Sequence, residues 1–248
     1  MSTDRSTDAD RAVRAAYAKG LGAGTASLDD GGVLVVERPE GHWGYLVVGA
    51  SFAHATLLSV APELVDVARS VAPEVHGPGA LLRALSAIRD HERSEGRDRA
   101  LHAPSIGWSL GAPPPTIDLP VGLELSVVEA DELNSLIADG GFENGAGPAD
   151  GSTGREFRNL YGVTLSGPQG LVAVAGAFDT YGLHEIGVDV VADRRGDGLG
   201  RLVVAAAVRE IVSRGGEPFY GCSPTNVVSQ RTAWSVGFRP TMADAAIT

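Results

Sequence analysis

A glycine-rich turn between an apolar strand and an Ala/Val-rich helix, within residues 188–211, constrains this chain most. Arg195, Gly198 and Gly200 leave room for a ligand to approach the main chain. The first N–H groups of a helix have no partner inside the helix, and the helix dipole favours an anion beside them. The segment therefore predicts an anion site suited to a pyrophosphate.

Two common phosphate motifs do not fit this turn. A P-loop needs Lys and then Ser or Thr after its last glycine, but Arg201 and Leu202 follow Gly200. The only lysine in the chain is Lys19. Gly196 and Gly198 could begin a dinucleotide fingerprint, but its third glycine would fall at position 201, which is Arg201. Such a fingerprint also belongs at the first strand-to-helix turn, whereas this turn lies near the C-terminus. The sequence excludes a P-loop and disfavours a dinucleotide site.

The pattern Arg-x-x-Gly-x-Gly, formed by Arg195, Gly198 and Gly200, resembles the acyl-CoA-binding motif of the GNAT superfamily of N-acyltransferases. A second stretch is similar to the next strand, the Asn-led helix and the terminal Gly-Phe of that family. It comprises residues 218–226, Ser229, Ala233, Trp234, Gly237 and Phe238. The resemblance covers residues 123–248. The alternative interpretation is that the turn is only a helix start.

The hydrophobic pattern within residues 122–248 follows the order of a GNAT core. It predicts strands at 123–128, 161–166, 171–178, 184–191 and 218–222, and helices at 131–138, 199–213 and 227–236. We expect an α/β fold of the α+β type, with a mixed, largely antiparallel GNAT-like sheet flanked by helices. Residues 239–248 suffice for one short strand where the family commonly has two, so the closing hairpin is expected either to be shortened or to be completed by another element or subunit.

The N-terminal part is expected to form a smaller α/β domain. Helices are predicted at 9–19, 62–71 and 78–95 and strands at 32–37, 45–48 and 56–60, whereas 101–111 is ambiguous. Residues 1–112 are then an accessory or a degenerate GNAT-like domain. Residues 113–121 form a Pro-rich linker, and residues 122–248 form the GNAT domain.

The resemblance implies acetyl-CoA as the acyl donor. Its pantetheine arm would lie between strands 184–191 and 218–222, and its pyrophosphate would bind backbone N–H groups of the turn. Backbone donors near Val190 and Val191 would polarise the thioester carbonyl. Asn226 would contact the pantetheine arm, and it also fits as a helix N-cap. The implied donor-binding residues are Val190, Val191, Arg195, Gly196, Gly198, Leu199, Gly200, Arg201 and Asn226.

Glu185 is the candidate general base for attack by an amine. It precedes Arg195 by ten residues, about where several acetyltransferases of the family carry a catalytic glutamate. Strand alternation places it on one face with Gly187 and Asp189, and Asp189 is the alternative base. The competing interpretation of Glu185 is a structural strand carboxylate.

The sequence departs from the family pattern at the position of the acid that protonates the thiolate. Many members carry a tyrosine seven residues after the helix-leading Asn, where this chain has Ala233. Tyr220 and Ser229 are the candidate substitutes, with Ser223 as a further possibility. Tyr220 also fits as a core aromatic residue. The departure leaves open a non-catalytic acyl-CoA-binding or sensing protein.

Residues 140–154 form a long glycine-rich segment that contains Phe142, Glu143 and Asn144. Structureless segments of this length are uncommon unless they are functional or disordered. In the family the equivalent region often helps to form the acceptor site. The sequence therefore raises the hypothesis of a substrate lid.

Charge and composition narrow the partners and the location. Twenty basic against 31 acidic residues give a net charge of −11, which disfavours nucleic acid and attracts a cationic amine. The histidines lack metal-ligand spacing, and the single cysteine, Cys222, fits a small buried strand residue. Neither an apolar membrane-length run nor a signal-peptide core is present in the sequence.

We therefore expect a cytoplasmic, metal-free bacterial N-acetyltransferase that binds neither nucleic acid nor membrane, with a homodimer as its candidate assembly. It would transfer the acetyl group of acetyl-CoA directly to a primary amine of a small molecule or a peptide. Fold-level analogy does not choose the acceptor.

Overall fold

The computed structural model describes residues 5–39, 45–72, 76–116, 118–138, 142, 144–145 and 158–248. Short 3-10 segments lie at Thr25–Leu28, Pro62–Leu64 and Ala192–Arg194. The helices are α1 (Arg5–Gly20), α2 (Val65–Val71), α3 (Pro78–Ser94), α4 (Ala130–Ala138), α5 (Leu199–Ser213) and α6 (Val227–Val236). The strands are β1 (Gly32–Glu37), β2 (Val47–Phe52), β3 (Ala55–Val60), β4 (Ser105–Leu110), β5 (Glu124–Glu129), β6 (Asn159–Gly167), β7 (Gly170–Thr180), β8 (Leu183–Val190), β9 (Pro218–Cys222) and β10 (Phe238–Ile247).

Tertiary contacts divide the chain into two compact units, each discontinuous in sequence. The motif unit comprises residues 1–9, 108–221 and 226–239. The second unit comprises residues 10–107, 222–225 and 240–248. The sequence predicts a single break at 113–121, and that division into domains stays a prediction.

The motif unit contains a mixed sheet. Strands β5, β6, β7 and β8 pair in this order, each antiparallel to the next, and β9 lies parallel to β8. A parallel pair needs a crossover connection, which α5 supplies here. Helix α5 contacts β6, β7 and β8. Its buried face consists of small and branched apolar residues. Those buried in α5 are Leu199, Leu202, Val203, Val204, Ala205, Ala207, Val208 and Ile211. The expected largely antiparallel α/β sheet flanked by helices is confirmed.

The second unit combines strands from both ends of the chain. β1 lies parallel to β3, β3 is antiparallel to β2, and β2 is antiparallel to β10. Helices α2 and α3 cover a core to which β2, β3 and β10 contribute. This core includes Val47, Leu58, Val60, Leu64, Leu81, Leu85, Ile88, Ala245 and Ile247.

The last strand corrects one expectation and confirms another. It spans Phe238–Ile247 and is therefore longer than the short strand expected. Its residues Met242–Ile247 pair with β2, so another element of the chain does supply a partner strand. The ambiguous stretch 101–111 contains β4.

A buried carboxylate organises the end of α3. Glu92 accepts hydrogen bonds from Arg97 at 2.7 and 2.8 Å and from Arg99 at 3.1 Å. These guanidinium groups outweigh the effect of burial and hold the pKa of Glu92 down at about 2. The charged carboxylate thus anchors the chain that leaves α3.

Within the described ranges, no helix combines the length and the apolar character that crossing a bilayer requires.

Candidate functional site

The turn after β8 is built around two glycines in left-handed backbone conformations. The 3-10 segment ends at Arg194, and Arg195 returns to extended backbone. Gly196 has φ 93° and Gly198 has φ 79°, values that side chains with a Cβ rarely adopt. Among the residues that the structure describes, no atom would lie within 4 Å of a Cβ at either glycine, so space beside this main chain is open.

Backbone donors at the start of α5 border this open space. Gly198 is the N-cap of α5 and offers no side-chain acceptor. Within the described part of the chain, no hydrogen bond engages the N–H groups of Leu199, Gly200 and Arg201. The first helical bond runs from the Leu202 N–H to the Gly198 carbonyl at 3.2 Å. Unpaired donors at the positive end of a helix dipole suit a pyrophosphate.

Two arginines flank the turn with exposed side chains. The Arg195 Nε donates to the Val190 carbonyl at 3.1 Å, which fixes the stem of this side chain against β8. Arg201 is exposed on the first turn of α5. A third arginine, Arg194, pairs with Asp197 at 2.9 Å instead. Arg195 and Arg201 are therefore placed beside the donors of the turn.

The edge of β8 towards β9 remains open over its last residues. Parallel pairing covers His184 with Pro218 to Ile186 with Tyr220 and then ends, although β8 continues to Val190. The Val191 N–H donates to the Val172 carbonyl of β7 at 3.0 Å. Because antiparallel hydrogen bonding alternates along a strand, the N–H and C=O of Val190 point away from β7. Val190 therefore presents a main-chain donor at the open edge, whereas the Val191 donor is already engaged.

Asn226, Ser229 and Tyr220 lie together at the start of α6. The Asn226 side chain caps α6 by accepting the Ser229 N–H at 3.0 Å. The hydroxyl groups of Ser229 and Tyr220 are 2.8 Å apart, so one donates to the other. Tyr220 is fully buried and its ring packs against Phe238, whereas Ser229 is half-buried. The capping interpretation of Asn226 and the core interpretation of Tyr220 are confirmed, and neither excludes a further role.

Glu185 is half-buried and is the third residue of β8. Its register partner on β7 is Phe178. The Thr180 hydroxyl donates to the Glu185 carboxylate at 2.6 Å, which orients it on the sheet face. A carboxylate held in this way can accept a proton from a group bound on the same face.

Solved structures of similar shape were found, whereas no protein-family model and no curated protein matches the chain. A Drosophila protein has 18% identity and a TM-score of 0.51, with 85% of this chain and 76% of that chain covered. A GCN5-related N-acetyltransferase from Kribbella flavida has 18% identity and a TM-score of 0.47, with 96% and 94% covered. A GNAT-family protein from Novosphingobium aromaticivorans has 22% identity and a TM-score of 0.44, with 60% and 66% covered.

The antiparallel strands β5 to β8, the Arg-Gly turn into α5 and the parallel strand β9 follow one another in the order of the family core. This order gives the chain a GNAT-like fold, and the Drosophila protein shares the fold over 85% of this chain. At 18% identity, the similarity to the Drosophila protein is one of fold. The sequence resemblance assigns the acyl-CoA motif to the turn at 195–201, and that assignment stays a prediction.

A buried alanine occupies the position at which many GNAT members carry a tyrosine. Ala233 on α6 is fully buried, and the neighbouring Trp234 is exposed. The Arg239 guanidinium stacks on the Trp234 ring at 4.2 Å, and the Trp108 ring meets the same indole edge-on. A proton donor near α6 must therefore come from a side chain other than residue 233, and Ser229 and Tyr220 form a hydrogen-bonded hydroxyl pair at the start of this helix.

Sequence reasoning missed the role that the structure gives Asp189. Its carboxylate accepts the backbone N–H groups of Asn144 and Gly145 at 2.6 and 2.9 Å and the Asn144 amide at 2.9 Å. To act as a base, the alternative role predicted for it, Asp189 would have to give up hydrogen bonds that it accepts here. No local signal in the sequence links residues 144 and 189, because the contact depends on the path of the chain over the sheet. Of the predicted lid, Phe142, Asn144 and Gly145 are described; Glu143 and the remainder lie outside the described residues.

The described residues contain no group of three or more His, Cys, Asp or Glu side chains placed to hold a metal ion. Cys222, the single cysteine of the sequence, is buried at the end of β9.

Proposed function

We propose that this chain is an acyl-CoA-dependent N-acyltransferase that transfers an acetyl group from acetyl-CoA to a primary amine of a small molecule or a peptide. The observation that carries the proposal is the open turn at Gly196 and Gly198 with the unpaired N–H groups of α5. It combines room for a ligand with donors and a helix dipole that favour a pyrophosphate. The GNAT-type fold supports the same assignment.

The donor would extend from the turn along the open edge of β8. Arg195 and Arg201 contribute positive charge for the phosphates. Val190 offers its main-chain N–H beyond the end of the β8–β9 pairing, as an added strand would require. Asn226 stands at the start of α6, where its amide nitrogen can contact the donor while its oxygen caps the helix.

Acetyl-CoA supplies the thioester carbonyl and the leaving thiolate. The amine nitrogen attacks the carbonyl carbon, the C–N bond forms and the C–S bond breaks. Glu185 accepts the proton that the amine loses and later releases it to solvent. The Val190 N–H stabilises the charge that develops on the carbonyl oxygen. Ser229, hydrogen-bonded to Tyr220, returns a proton to the thiolate and is reprotonated from solvent.

Calorimetric binding of acetyl-CoA and of free CoA tests the donor site directly. We expect a Kd of about micromolar for the wild type. Gly198→Glu places a carboxylate in the open space beside the phosphates and is expected to weaken binding roughly 100-fold, because like charges repel. Gly215→Glu is the matched control, since Gly215 has φ 76°, equally open surroundings and a place just after the C-terminal end of α5. Equal binding by Gly198→Glu and the wild type would refute the donor site.

Glu185→Gln tests the general base. We expect kcat for amine-dependent thiol release to fall about 100-fold or more while acetyl-CoA affinity is kept, because only proton transfer is removed. Glu124→Gln, on an exposed position of β5, is the control and should leave kcat unchanged. Full activity of Glu185→Gln would make this residue a structural carboxylate.

The second candidate function is a non-catalytic acyl-CoA-binding or sensing protein, which the buried Ala233 at the usual tyrosine position favours. Binding of acetyl-CoA by the wild type, without thiol release for any primary amine of a broad panel, would favour this function over the transferase.

A further inference from the structure

The segment that contains Asn144 and Gly145, here called the 144–145 segment, is tied to β8 by one side chain. The Asp189 carboxylate accepts two backbone N–H groups and one amide N–H from this segment, at 2.6 to 2.9 Å. Hydrogen bonds to an ionised acceptor are about twice as strong as neutral ones. Asp189 therefore fixes both the place and the backbone orientation of the segment.

A pair of glycines allows the segment to approach the sheet this closely. Gly176 on β7 and Gly187 on β8 are register partners, so they lie side by side. A Cβ at Gly187 would overlap the Asn144 carbonyl oxygen, and a Cβ at Gly176 would overlap the Gly145 carbonyl oxygen. The absence of side chains at these two positions is what admits the segment.

The 144–145 segment lies on the sheet face that carries Glu185. Residues 185, 187 and 189 alternate onto one face of β8, and same-face neighbours are about 7 Å apart. Phe178 joins this face as the register partner of Glu185, and its ring lies 3.5 Å from the place of a Cβ on Gly187. Phe142, just before the segment, packs on the cluster of Val128, Leu133 and Val174. The segment thus occupies the position next to the proposed base.

We infer that Asp189 is a positioning residue that holds the 144–145 segment beside Glu185, so that the segment forms one wall of the acceptor site. The inference rests on the proposed transferase function and on the assignment of Glu185 as its base. Asp189 acts through the segment and does not take part in proton transfer, because its oxygens are occupied by three N–H donors. Asp189 thereby affects binding of the amine. It does not affect binding of acetyl-CoA, which depends on the turn at 195–201.

Steady-state kinetics of the full-length protein with acetyl-CoA and a primary amine test this inference. The probe amine is the one that gives the fastest thiol release with the wild type. Asp189→Asn replaces an acceptor by an amide, and Gly187→Ala displaces the segment while keeping Asp189. We expect both to raise the KM for the amine about tenfold, with the KM for acetyl-CoA unchanged. Amide hydrogen exchange at Asn144 and Gly145 should accelerate about tenfold in both variants.

The matched control is Asp179→Asn, which makes the same chemical change on β7, where the Asp179 carboxylate caps the turn at Gly182. It should leave both KM values and the exchange at Asn144 unchanged. If Asp189→Asn does not fold, Asn144→Ala removes only the side-chain donor and should raise the amine KM about threefold.

The outcomes separate this inference from the proposed function. An active wild type whose amine KM is unaffected by Asp189→Asn and Gly187→Ala, despite faster exchange, overturns the positioning role alone. An equal rise in both KM values points to general distortion and overturns it as well. A wild type that neither binds acetyl-CoA nor releases thiol overturns the proposed function, and the inference falls with it.

Discussion

At the scale of single residues, the motif unit contains a cluster of titratable groups that the proposed mechanism does not use. The Tyr161 hydroxyl lies 2.7 Å from His184 Nδ1, and the Arg214 guanidinium stacks on the Tyr161 ring at 4.0 Å. Burial raises the pKa of Tyr161 to about 12, so the phenol keeps its proton and can donate it to a neutral imidazole. Burial, together with Arg214, lowers the pKa of His184 despite the opposing charge of Asp179. The folded chain therefore favours the neutral form of His184.

This cluster predicts the direction of a pH dependence. Because the pKa of His184 is lower in the folded chain than its ordinary value of 6.5, its contribution is complete above that value. The contribution is lost as the pH falls below about 6.5, since the unfolded chain then binds the proton more readily. Urea unfolding of the wild type from about pH 7.5 to about pH 5 should show this loss, and His184→Asn should remove it.

The exposed His54 provides the control for this series. His54→Asn should retain the pH dependence of the wild type. A His184→Asn variant with an undiminished pH dependence would assign the effect to another group.

At the scale of elements, α6 depends on its N-cap. Asn226 accepts the Ser229 N–H at 3.0 Å and begins the helix at the site where the donor is proposed to bind. Asn226→Ala should lower the free energy of unfolding by about 1 kcal/mol, as losses of such caps do. Asn226→Asp keeps an acceptor at the cap and should stay within about 0.5 kcal/mol of the wild type in urea unfolding. Equal loss in both variants would contradict the capping role.

The elements around the turn were predicted from sequence with their observed bounds. α5, β9 and α6 begin and end at the predicted residues. Local chemistry sets these ends: Gly198 and Gly237 adopt positive φ values at the start of α5 and the end of α6, and Asn226 caps α6. In the second unit the second strand is shifted to Val47–Phe52, because its pairing with β10 and β3 decides where it ends.

At the scale of the whole molecule, stability depends on residues from the end of the chain. β10 brings Ile247 into the core of the second unit, where it is fully buried. Ile247→Ala should lower the free energy of unfolding by about 2–5 kcal/mol, because it removes buried methyl groups and leaves a cavity. Ile247→Val, the graded control, should cost about 0.5–1.5 kcal/mol in the same urea titration. Comparable values for the two variants would mean that the site collapses around the smaller side chain.

By itself, the sequence determined the strand–turn–helix order and the largely antiparallel fold, and it predicted an anion site at the turn 195–201. These features depend on periodicity and on residues within one or two turns of each other, so they leave a local signal. Tertiary structure alone decided that β10 pairs with β2 and that Asp189 holds Asn144 and Gly145 over a pair of glycines. Such contacts join residues far apart in sequence, and only the folded path of the chain brings their donors and acceptors within hydrogen-bonding distance.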